Sequence, residues 1–198
     1  MTVETIEVTP TLRVRIEIDE DPVNPRTDYE CFGKISYMSR SKLCLGDLPV
    51  TEGGQRDIDA QVEAGDLIGI PVFAYVHSGV VLKAAQTNPF ACPWDSGRSG
   101  TAFVEVSKAL QEFNATALTQ EVKGKAIDLL VAEVEHFSHY LGGDCYGYVI
   151  ERLTLDDDGD IDGIEELDSC WGFVGDVSYV CQEALAAAEH FKQAVDAA

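Results

Sequence analysis

"CYGYVIERLTLDDDGDIDGIEELDSCWGFVG", residues 145–175, decides how the chain is read. "CYGYVIERLTL" at 145–155 and "EELDSCWGFVG" at 165–175 carry strand-forming residues, and "DDDGDIDG" at 156–163 between them is a string of turn formers. Two strands joined by so short a turn pair antiparallel, because a parallel pair needs a crossover of a dozen or more residues. The 156–163 segment is therefore expected to be an acidic hairpin loop.

Working outward, "TLRVRIEID" at 11–19 alternates, with Leu12, Val14, Ile16 and Ile18 on one face of a half-buried strand. "CFGKISYMS" at 31–39, "LIGIPVFAYV" at 67–76, "VVLKAA" at 80–85 and "GTAFVEVS" at 100–107 read as further strands. Residues 51–66, polar and containing Gly53, Gly54 and Gly65, read as an exposed polar excursion. Three helices are expected. A short one starts at Ser107 as its N-cap. A long one runs from Thr119 to Leu141 on an apolar stripe including Val122, Ala126, Leu130, Val134 and Phe137. The last begins at Asp176 and places Val177, Val180, Cys181, Leu185, Ala188, Phe191 and Val195 on one stripe. Strands in runs rather than in alternation with helices predict an α+β fold. The expected form is a single domain over 1–198: a mainly antiparallel sheet with two long helices and one short helix packed on it.

The charge narrows the partners. The 198 residues hold 35 Asp/Glu against 14 Lys/Arg, a formal net charge of −21. Residues 151–198 alone hold 13 acidic and 2 basic residues, or −11. Such a charge opposes direct binding to nucleic acid and to anionic membranes, and favours a basic partner. The acidic set Asp156, Asp157, Asp158, Asp160, Asp162, Glu165 and Glu166 is the candidate binding surface. It reads either as a solvated face or as an imitation of nucleic-acid phosphate charge. The longest nearly uncharged apolar run, 67–76, is far too short to span a bilayer. The N-terminal "MTVETIEVTP" lacks the basic and apolar regions of a signal peptide. No C-x-x-C pair occurs among the six cysteines. A cytoplasmic protein with reduced, mostly buried thiols is expected.

"CPWDSG" at 92–97 admits two readings. In the catalytic one, Cys92 is a nucleophile, His77 its base and Asp95 the group that orients the histidine. Against it, Pro93 leaves the position after the nucleophile without the N–H an oxyanion hole needs. In the structural one, Trp94 is a core anchor, Asp95 and Ser96 hydrogen-bond the turn, and Gly97 supplies a positive φ. "DSCWGF" at 168–173 echoes it; Asp168, Cys170 and Trp171 are read as structural, with Trp171 against the helix layer and Cys170 neighbouring Cys92. Asp158, Asp160 and Asp162 followed by Gly163 match the opening of an EF-hand calcium loop, but Ser169 stands where the bidentate glutamate belongs. No other cofactor is indicated.

Taken in order, "NPR" (24–26), "LGD" (45–47), "YVHSG" (75–79), "CPWDSG", "FVEVSK" (103–108), "YLGGDCYGYVIE" (140–151) and "DSCWGF" resemble a family of small, largely uncharacterised proteins encoded by bacteriophages, plasmids and related mobile elements. The resemblance covers roughly residues 21–175. Val76 departs from it, standing where the family often carries an aspartate before His-Ser-Gly, and the acidic loop is longer and more charged. It implies a setting inside a bacterial host cell and no established reaction. The leading expectation is a non-enzymatic, acidic binding protein that mimics nucleic acid and inhibits a basic, nucleic-acid-handling host protein, such as a defence component. The alternative is a thiol-dependent hydrolase or transferase using Cys92 and His77.

Overall fold

A computed structural model describes residues 1–38 and 43–195, with the side chains of 193–195 outside the description. The side chain of Val195 in the expected stripe and the whole of Ser39 in the expected second strand therefore lie outside it. The elements are β1 (Thr2–Thr9), β2 (Leu12–Ile18), β3 (Lys34–Met38), β4 (Leu48–Val50), α1 (Glu52–Ala64), β5 (Leu67–Val76), β6 (Val80–Ala84), β7 (Ser96–Glu105), α2 (Val106–Glu112), α3 (Gln120–Gly142), β8 (Cys145–Leu155), β9 (Ile161–Val174) and α4 (Val177–Val195). The chain is α+β, with antiparallel pairing throughout except between β3 and β4.

Where the sequence reads as one domain around one sheet, the chain divides into two compact units. Unit 1 comprises residues 1–23 and 143–198; unit 2 comprises 24–142. The cause is topological. Strands β2 and β8 pair from Leu12 opposite Arg152 to Ile18 opposite Tyr146, and the Asp19 N–H donates to the Cys145 carbonyl at 2.8 Å. Unit 2 is thus inserted where a hairpin turn would otherwise join two paired strands. No linker-like composition marks such an insertion.

Unit 1 is a four-stranded sheet in the order β1-β2-β8-β9. Leu12, Val14, Ile16, Tyr148 and Ile150 on one face pack against Val180, Ala184 and Ala188 of α4. Asp176 caps that helix, its Oδ1 accepting from the Ser178 N–H at 2.8 Å. The alternate residues of β2 and β8 face the other way. There Glu151, buried, accepts from Arg13 Nε at 2.7 Å and Arg15 Nη2 at 2.8 Å, while Arg15 also pairs with Glu17. Burial pushes the Glu151 carboxyl up, but the hydrogen bonds from Arg15 and Arg13 outweigh it and hold it below its ordinary 4.5.

Unit 2 is a five-stranded sheet in the order β4-β3-β7-β5-β6. Ala126, Leu130, Val134 and Phe137 of α3 pack against Ile35, Ile68, Ile70, Val72, Leu82, Ala102 and Val104. The helix starts as expected, the Val122 N–H donating to Thr119 Oγ1 at 3.2 Å. The short helix does not: Ser107 lies within α2, whose N-cap is Glu105 without a side-chain cap bond.

The expected excursion at 51–66 is instead α1, on the opposite face of the sheet from α3. Thr51 caps it by accepting from the Gly54 N–H at 3.2 Å. A polar network ties it down. Buried Gln55 accepts from Ser36 Oγ at 2.9 Å and donates to Thr101 Oγ1 at 2.8 Å and Asp59 Oδ1 at 2.9 Å; Asp59 in turn accepts from Arg98 at 2.7 Å. All but the Arg98–Asp59 bond are made between buried or half-buried partners, so the network can replace the apolar stripe that marks most surface helices.

The Glu151 cluster makes unit 1 acid-sensitive. A carboxyl held below its ordinary value stabilises the fold at pH above about 4.5 and loses that contribution as the pH falls through its lowered value. Glu151→Gln should flatten this acid limb in pH-dependent urea unfolding and cost about 2–4 kcal/mol at neutral pH, by leaving two arginines without their carboxylate.

Candidate functional site

The CPWDSG turn brings Cys92, His77 and Asp95 together, but in the wrong order for a nucleophile. The Cys92 thiol donates to Asp95 Oδ2 at 3.3 Å, and His77 Nδ1 lies 3.6 Å from the same oxygen. Catalysis needs the imidazole between thiol and carboxylate, so that it can take the thiol proton. Here the carboxylate holds the middle place and the imidazole stands out in solvent.

The turn is nonetheless firmly built. Ser96 Oγ donates to the Cys92 carbonyl at 2.5 Å, Asn88 donates to Ser96 Oγ at 3.0 Å, and the Val76 N–H donates to the Asp95 carbonyl at 2.8 Å. The structural reading of Asp95 and Ser96 therefore holds, with two corrections. Trp94 is not a core anchor: it is 92% exposed at the tip. Gly97 is not among the positive-φ glycines; it is the second residue of β7, opposite Ala74.

The echoing DSCWGF lies in β9, in the other sheet, so strand pairing does not make Cys92 and Cys170 neighbours. Cys170 is opposite Tyr148 and exposed, and Asp168 is opposite Ile150. Trp171 does not pack on α4. It lies across Gly147 on the other face of the sheet, its ring atoms 2.2 and 2.4 Å from where a Cβ of Gly147 would stand. Only glycine permits that approach. Gly172, at φ 88°, is the extra residue of the bulge that turns the indole there. Among the cysteines only Cys145 is fully buried; Cys44 and Cys170 are exposed, against the expectation of mostly buried thiols.

The acidic segment 156–160 forms the tip of the β8–β9 hairpin, while residues 161–163 of the expected loop belong to β9. Its organiser is Asp156, whose Oδ1 accepts from the N–H groups of Asp158 at 3.0 Å and Asp160 at 2.9 Å. Among the described residues no three His, Cys, Asp or Glu converge to hold a metal ion, so Asp158, Asp160 and Asp162 form no calcium cradle. Beyond the tip, β9 is an edge strand with one neighbour, β8. Asp162, Glu165, Glu166 and Asp168 are all exposed on it. Glu165 pairs with Arg152. Asp157 and Asp158 are exposed in the turn. Unit 1 as a whole holds 20 acidic and 4 basic residues, −16 of the chain's −21.

Unit 2 holds a constellation to which the sequence assigns no role. Arg26 of "NPR" is buried against Asp47 of "LGD", donating through Nε at 2.8 Å and Nη2 at 2.6 Å. Nη2 also donates to the Gly33 carbonyl at 2.8 Å, and Nη1 lies 3.3 Å from Glu133 of α3. Glu133 in turn accepts from the N–H groups of Phe32 and Gly33 at 2.5 and 3.0 Å. Burial works against the charged guanidinium, but hydrogen bonding and attraction from Asp47, then Glu133, keep its pKa above the ordinary arginine value. Three cavities, of about 610, 360 and 400 Å³, have Arg26 in their walls. The signal for this centre was present as two short motifs far apart in the chain, an arginine and an aspartate that find each other only in the fold.

No family model, curated protein or solved structure matches the chain. No described helix is long and apolar enough to cross a membrane.

Two measurements follow from these geometries. Arg26→Lys should cost unit 2 on the order of 3 kcal/mol in urea unfolding, because an ammonium cannot serve Asp47 bidentately and reach Gly33 and Glu133 as well. Cys92 should be alkylated by iodoacetamide, mapped by peptide mass spectrometry, no faster than free cysteine; markedly faster labelling would restore the nucleophile reading.

Proposed function

We propose that this is an acidic binding protein, of the kind mobile elements encode, whose unit 1 occupies the basic, phosphate-binding surface of a nucleic-acid-handling host protein. The observation that carries this reading is the segregation of charge: −16 of −21 lies in unit 1, and its most exposed strand is an acidic edge. From Asp162 to Asp168 the strand rises about 20 Å and bears four carboxylates. That density is within a factor of about two of the one phosphate per 3.4 Å on a DNA strand. Acidic residues on an edge also keep copies of a sheet from pairing with one another. The charge goes beyond that need, continuing into the hairpin turn at Asp156, Asp157, Asp158 and Asp160, past the strand's own pairing groups.

Capture on the immobilised protein from bacterial lysate at low salt tests the reading. A basic partner should be retained, released by moderate salt and displaced by duplex DNA. The triple variant Asp162→Asn, Glu166→Gln, Asp168→Asn should reduce its retention at least about tenfold. Retention indifferent to DNA and to the triple variant, or no basic partner under either condition, would refute it.

A further inference from the structure

We infer that the cavity of about 610 Å³ in unit 2 is a binding site for a small organic anion with a flat apolar body. Its volume falls in the range of ligand sites, roughly 300–1,000 Å³. It lies on the α1 side of the sheet. Ile58 of α1, Leu67 of β5 and Phe103 of β7 give it an apolar floor, and Phe103 offers a ring against which a planar group can lie.

Its polar groups carry the argument. Arg26 and Asp47 in the wall neutralise each other and are spent on the fold. Two further cations line the same space, Lys34 and Lys108. The Lys34 backbone is in the β3–β7 ladder, but its ammonium has no ion-pair or hydrogen-bond partner among the described residues. Lys108 donates one N–H to the Cys31 carbonyl at 2.8 Å, which anchors the ammonium and leaves two donors. Acidic residues outnumber basic ones 35 to 14 in this chain, so a lysine pair without a carboxylate partner is not for want of carboxylates. An anionic guest would complete it.

The walls also limit the charge of that guest. Glu105 lines the cavity, and Gln61 belongs to the last turn of α1, where the helix dipole is negative. No glycine-rich phosphate loop is present. A monoanion, carboxylate or sulfonate, fits these terms, whereas a polyphosphate does not.

The test uses the intact protein and two probes of one shape, 1-anilinonaphthalene-8-sulfonate and its uncharged parent 1-anilinonaphthalene. The sulfonate should bind saturably, one per chain by calorimetry, with enhanced fluorescence. Lys34→Gln with Lys108→Gln should weaken the sulfonate about tenfold or more and leave the neutral probe unchanged. Gln61→Trp, at an exposed helix position, should block both by filling the space. Overturning results are no saturable binding, sulfonate binding that neither variant alters, or equal affinity for both probes. None of these bears on the acidic surface of unit 1.

Discussion

The guanidinium of Arg26 holds together four stretches of unit 2: its own 24–26 segment, Gly33 before β3, Asp47 before β4, and Glu133 on α3. A buried arginine without partners would cost several kcal/mol in desolvation, so each of its hydrogen bonds is an obligation rather than an embellishment. Meeting them sets where the 26–33 loop runs and how it meets α3. The wall that results is shared by three cavities, and the lysine-lined one owes its shape to a charge pair that never needs to touch a ligand. This separation of framing charges (Arg26, Asp47) from those without a carboxylate partner (Lys34, Lys108) is what lets the space be both framed and receptive.

The parts of this architecture that obey local rules were legible in the chain. The long helix α3 follows its stripe and its Thr119 cap, α4 follows Asp176, and the β8–β9 hairpin follows its run of turn formers. The parts that rest on distant partners were not. Helix α1 carries two glycines in its first turn and little apolar face, and it is held by Gln55 and Asp59 reaching Ser36, Thr101 and Arg98. Strand β1 is hidden for another reason: its partner β2 is next in the chain, but β1 is mostly exposed and buries little apolar surface. The two-unit division leaves no local mark in the sequence, because the join is a strand pair 128 residues apart at Ile18 and Tyr146, not a stretch of linker.

Charge segregation follows from that division. The excess of acid toward the C-terminus was visible in sequence, but its neighbours in space include β1 and β2, so the first 21 residues contribute six more carboxylates to the same unit. A 79-residue unit at −16 must offset considerable self-repulsion. Among its described residues the apolar seam between β2, β8 and α4 is free of unpaired charge, the buried carboxylate of Glu151 is matched by two arginines, half-buried Glu17 pairs with Arg15, and the acids of β9, of the hairpin turn and of α4 face solvent. Repulsion is tolerable there because water and salt screen it. The same placement leaves the carboxylates available to an external cation.

The paired tryptophan signatures illustrate how far composition alone can carry an inference. CPWDSG and DSCWGF use nearly the same residues to opposite ends. In the first, hydrogen bonds within a turn hold the indole out in water; in the second, a bulge at Gly172 lays it over the bare backbone of Gly147. What decides each case is the residue across from the tryptophan, nothing for Trp94 and a glycine for Trp171, and that is information only the neighbouring strand contains. Two thiols flanked by such similar neighbours consequently end in unrelated settings, Cys92 against a carboxylate and Cys170 on an open edge. Chemistry inferred from the repetition would have to be shared by both, and the surroundings of the two sulfurs have nothing in common that could perform it.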